Sequence, residues 1–284
     1  MAAPRIIARD RRDRLGEGPI WSARDEAVYW VDIMGQRLNR LRLADDRVET
    51  WDMPDILGWV IEREAAPGFV AGLGRSIVGL LLDPVTIEPI TSIAGEPDTN
   101  RVNDAKADPE GRIYLGTMPV ACDAPSGALY RLVDDAIVRL DAGYTIPNGP
   151  AFSLDGCWMY HADSRRRAIF RYPRLSDGAL GERQDWVRFG DGWGDPDGMA
   201  VDAEGGLWVA CWGAGCVARF SPDGQRERTI AVPTPQVTSC VFAGPALDRM
   251  FVTSEGDGSD DVNAGALFEI DPGCRGLPGQ PYRG

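Results

Sequence analysis

A six-bladed β-propeller is the architecture this sequence predicts, an all-β fold with four-stranded blades around a central channel. Three observations predict it. One phrase recurs six times: a Gly, Asn or Asp corner, a short apolar strand, an Asp-x-x-Gly turn, then a strand rich in Tyr, Trp or Val. The copies begin near residues 17, 58, 103, 148, 197 and 238, so they repeat every 41 to 49 residues, the length of a propeller blade. Apolar and polar residues alternate within the runs, and no segment sustains a helical period.

Each element follows from this phrase. The first copy reads Glu17-Gly-Pro-Ile-Trp-Ser and continues to Ala27-Val-Tyr-Trp-Val31. The second is weaker, with Gly58-Trp-Val-Ile and Gly68-Phe-Val-Ala-Gly72. The third runs from Asn103 through Asp108-Pro-Glu-Gly111 to Thr117, the fourth from Asn148 through Asp155-Gly156 to Tyr160. The fifth spans Asp197 to Cys211 with Asp202-Ala-Glu-Gly205 inside it, and the sixth begins at Thr238 and runs to Thr253. Third strands are expected at Leu38–Leu43, Gly127–Leu132, Ala168–Tyr172, Cys216–Phe220 and Gly265–Ile270, with fourth strands in the linkers. The leading segment around Pro4 to Ala8 is expected to add a strand to the last blade and close the ring, which protects sheet edges. Residues 1–284 are thus read as one domain.

Composition narrows the function. The chain has 284 residues, 44% hydrophobic and 26% charged, with a net charge of −13. That balance argues against a basic nucleic-acid footprint and against a polybasic membrane anchor. The longest strongly apolar run, Ile77 to Leu82, is far short of the ~20 residues that span a bilayer. The polar, Arg-rich start lacks the apolar core of a secretory signal. Six Cys in a chain of this size suggest reduced, mostly buried thiols and a cytoplasmic location. Cys211 and Cys216 have no His or second Cys pair to complete a zinc site. A single His, His161, excludes sites built from several imidazoles and leaves a Ser-His-Asp triad only that one residue. Its setting, Cys157-Trp-Met-Tyr-His161, reads as a strand.

In a propeller the first strand of each blade lines the channel, so blade starts become neighbours. Glu17, Asn103, Asn148 and Asp197 then converge as two carboxylates and two amides. All-oxygen donors suit Ca²⁺, Mg²⁺ or Mn²⁺, and carboxylates admit Zn²⁺. The same residues also suit turn corners, since Asn-Gly and Asp-Gly are common turn dipeptides. Other acidic segments carry less. Trp193 to Glu204 matches part of an EF-hand loop but begins with Trp and leads into strands. Asp257 to Asn263 reads as a solvated loop, Arg165-Arg-Arg167 as a solvated turn, and Trp193 and Trp212 as candidates for the channel mouth.

Longer motifs now bear on these residues: Leu15-Gly-Glu-Gly-Pro-Ile-Trp21, Arg101-Val-Asn-Asp-Ala-Lys-Ala-Asp-Pro-Glu-Gly-Arg112, Gly116-Thr-Met118, Asn148-Gly-Pro-Ala-Phe-Ser and Pro196-Asp-Gly-Met-Ala-Val-Asp-Ala-Glu-Gly-Gly-Leu-Trp208. With Val237-Thr-Ser-Cys240 and the tail Gly276 to Gly284, they resemble the SMP-30/gluconolactonase/regucalcin family over nearly the whole chain. The resemblance implies a six-bladed propeller with one divalent cation in the channel and hydrolysis of a sugar lactone to its aldonic acid. It implies that Glu17, Asn148 and Asp197 hold the cation (Ca²⁺, Mg²⁺, Mn²⁺, Zn²⁺ or Fe²⁺) and that Asp197 is the general base. It implies that Arg101 and Asn103 bind substrate. The family often has a Glu ahead of the strand matching Gly127-Ala-Leu-Tyr; here that position is Asp123, with a shorter side chain. Asp104 reads either as a turn cap or as a group that orients Asn103. Two other readings are a metal-binding regulatory propeller without turnover and an esterase or organophosphatase on the same fold.

Overall fold

The structure, a computed structural model, describes residues 3–284. It contains six four-stranded antiparallel sheets. The first blade is β2 (Gly16–Ser22), β3 (Ala27–Asp32), β4 (Arg37–Arg42) and β5 (Val48–Asp52); the second is β6 (Leu57–Glu62), β7 (Phe69–Leu73), β8 (Ser76–Leu82) and β9 (Val85–Ser92). Then come β10 (Asn100–Ala107), β11 (Ile113–Pro119), β12 (Gly127–Val133) and β13 (Ala136–Tyr144), followed by β14 (Pro147–Phe152), β15 (Trp158–Asp163), β16 (Ala168–Pro173) and β17 (Gln184–Arg188). The fifth blade is β18 (Asp195–Val201), β19 (Leu207–Trp212), β20 (Cys216–Phe220) and β21 (Arg226–Ala231). The sixth takes β22 (Val237–Ala243), β23 (Arg249–Ser254) and β24 (Phe268–Ile270), and borrows β1 (Arg5–Ile6) as its outer strand.

The leading segment closes the ring, as its sequence suggested. Arg5 pairs with Glu269 and Ile6 with Phe268. Ile7 then packs among Trp21, Trp30, Phe251 and Leu267, joining the first and last blades. Asp13 seals the same seam: its carboxylate accepts from Arg9 at 2.6 and 2.7 Å and from Trp30 Nε1 at 2.9 Å. The last third strand is shorter than predicted. Gly265 turns away with φ +69°, and a Cβ there would strike the Asp13 carbonyl at 2.1 Å. Residues 255–266 serve the seam instead of the sheet.

The Asp-x-x-Gly turns have a clear cause. Asp108 Oδ1 accepts the Glu110 and Arg112 amides at 3.0 and 2.9 Å, and Gly111 takes φ +82° to complete the turn. Asp202 repeats this with Glu204 and Gly206 at 2.9 and 2.8 Å, then adds Trp208 Nε1 at 2.8 Å and Arg219 Nε at 2.6 Å. Burial raises the Asp202 carboxyl, but Arg219, Trp208 and the Gly206 amide more than offset it, leaving it below the usual carboxylate range. Its stabilising contribution is therefore present above the unfolded pKa and lost as pH falls through the folded one. Asp202→Ala leaves the Trp208 indole N–H and the Glu204 and Gly206 amides without their acceptor and takes from Arg219 one of its three carboxylate partners, and is expected to cost about 3 kcal/mol in a urea unfolding titration. A loss below about 1 kcal/mol, the range of exposed ion pairs, would contradict this role.

His161 lies fully buried in β15, its ring edge-on to Tyr144 at 4.9 Å between centroids. Burial lowers it to about 3, so it stays neutral. Among the six thiols only Cys211, Cys216 and Cys240 are buried; Cys122 and Cys274 are partly exposed and Cys157 is exposed. The expectation of mostly buried thiols thus holds for half of them, because Cys122 and Cys157 fall on connecting turns. All six are free. Among the described residues, no helix is long and apolar enough to cross a membrane.

Candidate active site in the propeller channel

Neighbouring first strands touch around the ring, so the blade starts share one channel mouth. Each first strand carries an irregularity just where the candidate residues sit, between Glu17 and Ile20, Val102 and Ala105, Asn148 and Ala151, and Pro196 and Met199. The bulge frees those residues from strict alternation. The ring reads Glu17, Gly58, Asn103, Asn148, Asp197 and Thr238. The blade carrying Gly58 adds no side chain because a Cβ would meet Val102 at 2.9 Å. Thr238 turns its hydroxyl to Gly16 O at 2.5 Å and to Thr253, which stitches the last blade to the first. That leaves the side chains of Glu17, Asn103, Asn148 and Asp197 on the ring.

Arg101, Asn103 and Asn148 form one continuous network. Arg101 Nη1 donates to Val102 O at 3.0 Å and to Asn103 Oδ1 at 2.6 Å. Asn103 Nδ2 donates to Pro147 O at 2.7 Å and to Asn148 Oδ1 at 2.8 Å. Asn148 Nδ2 donates to Ser164 Oγ at 2.9 Å, and Ser164 Oγ to Pro196 O at 2.7 Å. The chain of donors fixes both amide orientations and holds Asn148 Oδ1 as an acceptor with one lone pair to spare. It also ties three blades together beside Asp197.

The two carboxylates, Glu17 and Asp197, are close enough to shift each other's protonation. Glu17 Oε2 accepts the Gly18 amide at 2.9 Å. Asp197 Oδ1 is buried and receives no donor among the described residues. Burial first, then repulsion from Asp104, pushes Glu17 up to about 8. Burial and then Glu17 hold Asp197 well above the usual range. Asp104 accepts the Ala105 and Gly149 amides at 2.8 and 2.9 Å, so it is both a local cap and a tie to the next blade. Arg101 is buried, and burial lowers its guanidinium. Crowded, under-satisfied carboxylate oxygens and a fixed amide oxygen are a donor set for a hard cation. The residues therefore fit a divalent metal, although among the described residues no three His, Cys, Asp or Glu side chains cluster as ligands. The third donor of the set would be an amide.

Raised carboxylates set a testable slope. Between the unfolded carboxylate range and about 8, the folded metal-free protein binds more protons than the unfolded chain. Stability from this pair is then present at low pH and lost as pH rises through the folded value. The melting temperature of chelator-treated protein is expected to fall from pH 5 to pH 8 more steeply than that of Glu17→Gln. A divalent cation is expected to raise it more at pH 8 than at pH 5. Parallel slopes for the two proteins would contradict the crowding.

Asp123 lies exposed in the loop between β11 and β12, and no hydrogen bond joins it to Arg101 or Asn103 among the described residues. Burial pushes the thiol of its neighbour Cys122 up. Trp212 Nε1 donates to Glu255 Oε2 at 2.8 Å. Trp193 instead packs against Phe189 at 5.8 Å beneath Arg226. The Trp193–Glu204 stretch is crossed by β18, so it forms no EF-hand loop. Sequence reasoning missed Ser164 and Glu255. Ser164 opens the single turn Ser164–Arg166, and its Arg-rich neighbours masked it as a solvated turn.

The fold and this ring define a class: a six-bladed propeller with a polar, acidic site at one mouth of its channel. The chain belongs to the SMP-30/Gluconolactonase/LRE-like family, whose sequence profile matches residues 15–256. It is 36% identical to pentonolactonase XacC of Haloferax volcanii, over 98% of this chain and 97% of that protein. It is 37% identical to a 6-deoxy-6-sulfogluconolactonase of Pseudomonas putida, over 84% and 83% of the two chains. The crystal structure of regucalcin from Agrobacterium tumefaciens, described as a calcium-binding protein, superposes with a TM-score of 0.92 at 26% identity, covering 99% of this chain and 97% of that one.

Proposed function

We propose that this chain, acting as one propeller domain, hydrolyses a sugar lactone to its aldonic acid with a divalent cation held by Glu17, Asn148 and Asp197. The observation that carries the reading is the convergence of a donor-free buried carboxylate oxygen with a fixed amide and a buried arginine at one channel mouth. Two relatives named as lactonases support the reaction class, and one named as calcium-binding supports a divalent cation.

When bound, a divalent cation supplies Lewis acidity toward the lactone carbonyl and the attacking water. The protein's own groups do the rest. Asp197 accepts the water proton at Oδ1, the oxygen that no donor occupies. Arg101 presents its Nε, which has no partner among the described residues, to a substrate oxygen. It stabilises negative charge as the ester carbonyl is attacked and as the carboxylate forms. Asn103 commits both amide protons to protein acceptors, so it positions Arg101 and Asn148, and it meets substrate hydroxyls through Oδ1 alone. Asp123, on the loop between β11 and β12, is the further substrate contact of this reading. The ring-opening product is an anion, which a site rich in carboxylates releases readily. The protein is placed in the cytoplasm on its six free thiols.

The test is product identification. The chain is expected to convert at least one aldonolactone, followed by proton NMR of the open-chain acid, faster than the spontaneous reaction. Turnover of aryl esters or phosphotriesters with no lactone turned over would instead establish the esterase or organophosphatase reading.

A further inference from the structure

The first strands run from the candidate site toward the opposite mouth, and three residues beyond each blade start lies a second ring. It reads Ile20, Ile61, Lys106, Ala151, Ala200 and Val241, about 10 Å along the strands from the first ring at ~3.3 Å per residue. All six line a cavity of 390 Å³. That size lies within the roughly 300–1,000 Å³ of small-molecule sites. Residues 277–281 complete its lining.

Lys106 breaks the apolar character of this ring, and it is the only lysine in the chain. It forms no ion pair or hydrogen bond among the described residues, and it is only partly buried. The two acids nearby are already engaged. Glu62 accepts from Ser22 Oγ at 2.7 Å and pairs with Arg24 at 3.0 Å. Asp104 gives its two oxygens to the Ala105 and Gly149 amides. The ammonium, which also opposes the charge of the buried Asp104, therefore lines a chamber walled mostly by Ile, Ala, Val, Trp21 and Phe242, with Glu62, Ser153 and Gln280 as its other polar side chains. A mostly apolar wall whose acid, Glu62, is paired and whose one cation makes no hydrogen bond selects a ligand with a negative charge and an apolar body. A sugar acid carries its charge on a hydroxylated body and suits the wall poorly.

We propose that this cavity is a second binding site, distinct from the candidate active site, for a medium-chain carboxylate with Lys106 as its counter-ion. The proposal is independent of the lactonase reading. The rival role for Lys106 is a side chain that merely lays its stem on the wall and keeps its charge in water.

Isothermal titration of the full chain with sodium octanoate tests it. One octanoate is expected per chain, with 1-octanol and sodium acetate each at least tenfold weaker. Lys106→Met is expected to weaken octanoate at least tenfold, and so is Ala200→Leu, which fills the chamber without touching the charge. Folding of both variants is checked by circular dichroism. A second readout needs no variant. Reductive ¹³C-methylation labels one lysine side chain, and its NMR signal is expected to move with octanoate and not with octanol. No octanoate binding to the wild-type chain, equal binding of octanol, equal binding to Lys106→Met, or a lysine signal that stays still would overturn the proposal.

Discussion

Replacing Asp197 with Ala is expected to abolish turnover and cation retention while leaving the propeller folded. The carboxylate is asked to do two things, to hold the cation with Glu17 and Asn148 and to take a proton from water. A general base alone is worth roughly 10²–10⁴ in rate, so kcat/KM for a lactone is expected to fall by about 10³ or more. The fold survives because Asp197 contributes crowding and no donor contact: its Oδ1 is unpartnered and its charge is opposed by Glu17. In the metal-free state at pH 8 the variant is expected to melt no lower than the wild type, which separates loss of chemistry from loss of structure. Asp197→Asn keeps the shape and removes the basicity. Normal kcat in a variant still loaded with metal would remove Asp197 from both roles.

Replacing Arg101 with Ala is expected to spare the cation and damage turnover of hydroxylated lactones. Arg101 is buried, reaches Asn103 Oδ1 at 2.6 Å and holds an unpartnered Nε. A hydrogen bond to a charged group is worth about 1.5–3 kcal/mol, so kcat/KM is expected to drop by roughly 10- to 150-fold. Arg101→Lys is expected to rescue little, because an ammonium cannot serve Val102 O, Asn103 and a substrate oxygen in one planar fork. The comparison is made across a panel of aldonolactones with cation content measured on each preparation. Unchanged kcat/KM across the panel would take Arg101 out of the site.

The ring was legible in the sequence because each blade repeats its own physics. Asp108, Asp155 and Asp202 each precede a glycine at positive φ and each captures a nearby amide, so the same letters recur at the turns of the third, fourth and fifth blades. Glu17, Asn103, Asn148 and Asp197 could be picked out because the repeat marks which position faces the channel. What lay beyond reach were relations between blades. Asp104 looks like a local cap, and its bond to Gly149, 45 residues on, exists only once the ring closes. Ser164 gives no sign that its hydroxyl links Asn148 to Pro196. Lys106 is one residue in an otherwise unremarked motif until five apolar positions from other blades surround it. The shortened β24 depends on Asp13 pressing on Gly265 from the far end of the chain, which no local pattern encodes.

The central claim is a cation-dependent lactonase site at the channel mouth, and an add-back assay tests it most directly. Chelator-stripped protein meets a panel of aldonolactones with a pH indicator, alone and with Mg²⁺, Mn²⁺, Ca²⁺, Zn²⁺ or Fe²⁺. Acid release restored by at least one cation on at least one lactone, and absent in Asp197→Ala, is the predicted result. No release above the spontaneous rate with any pairing, or full release from stripped protein in excess chelator, would contradict it.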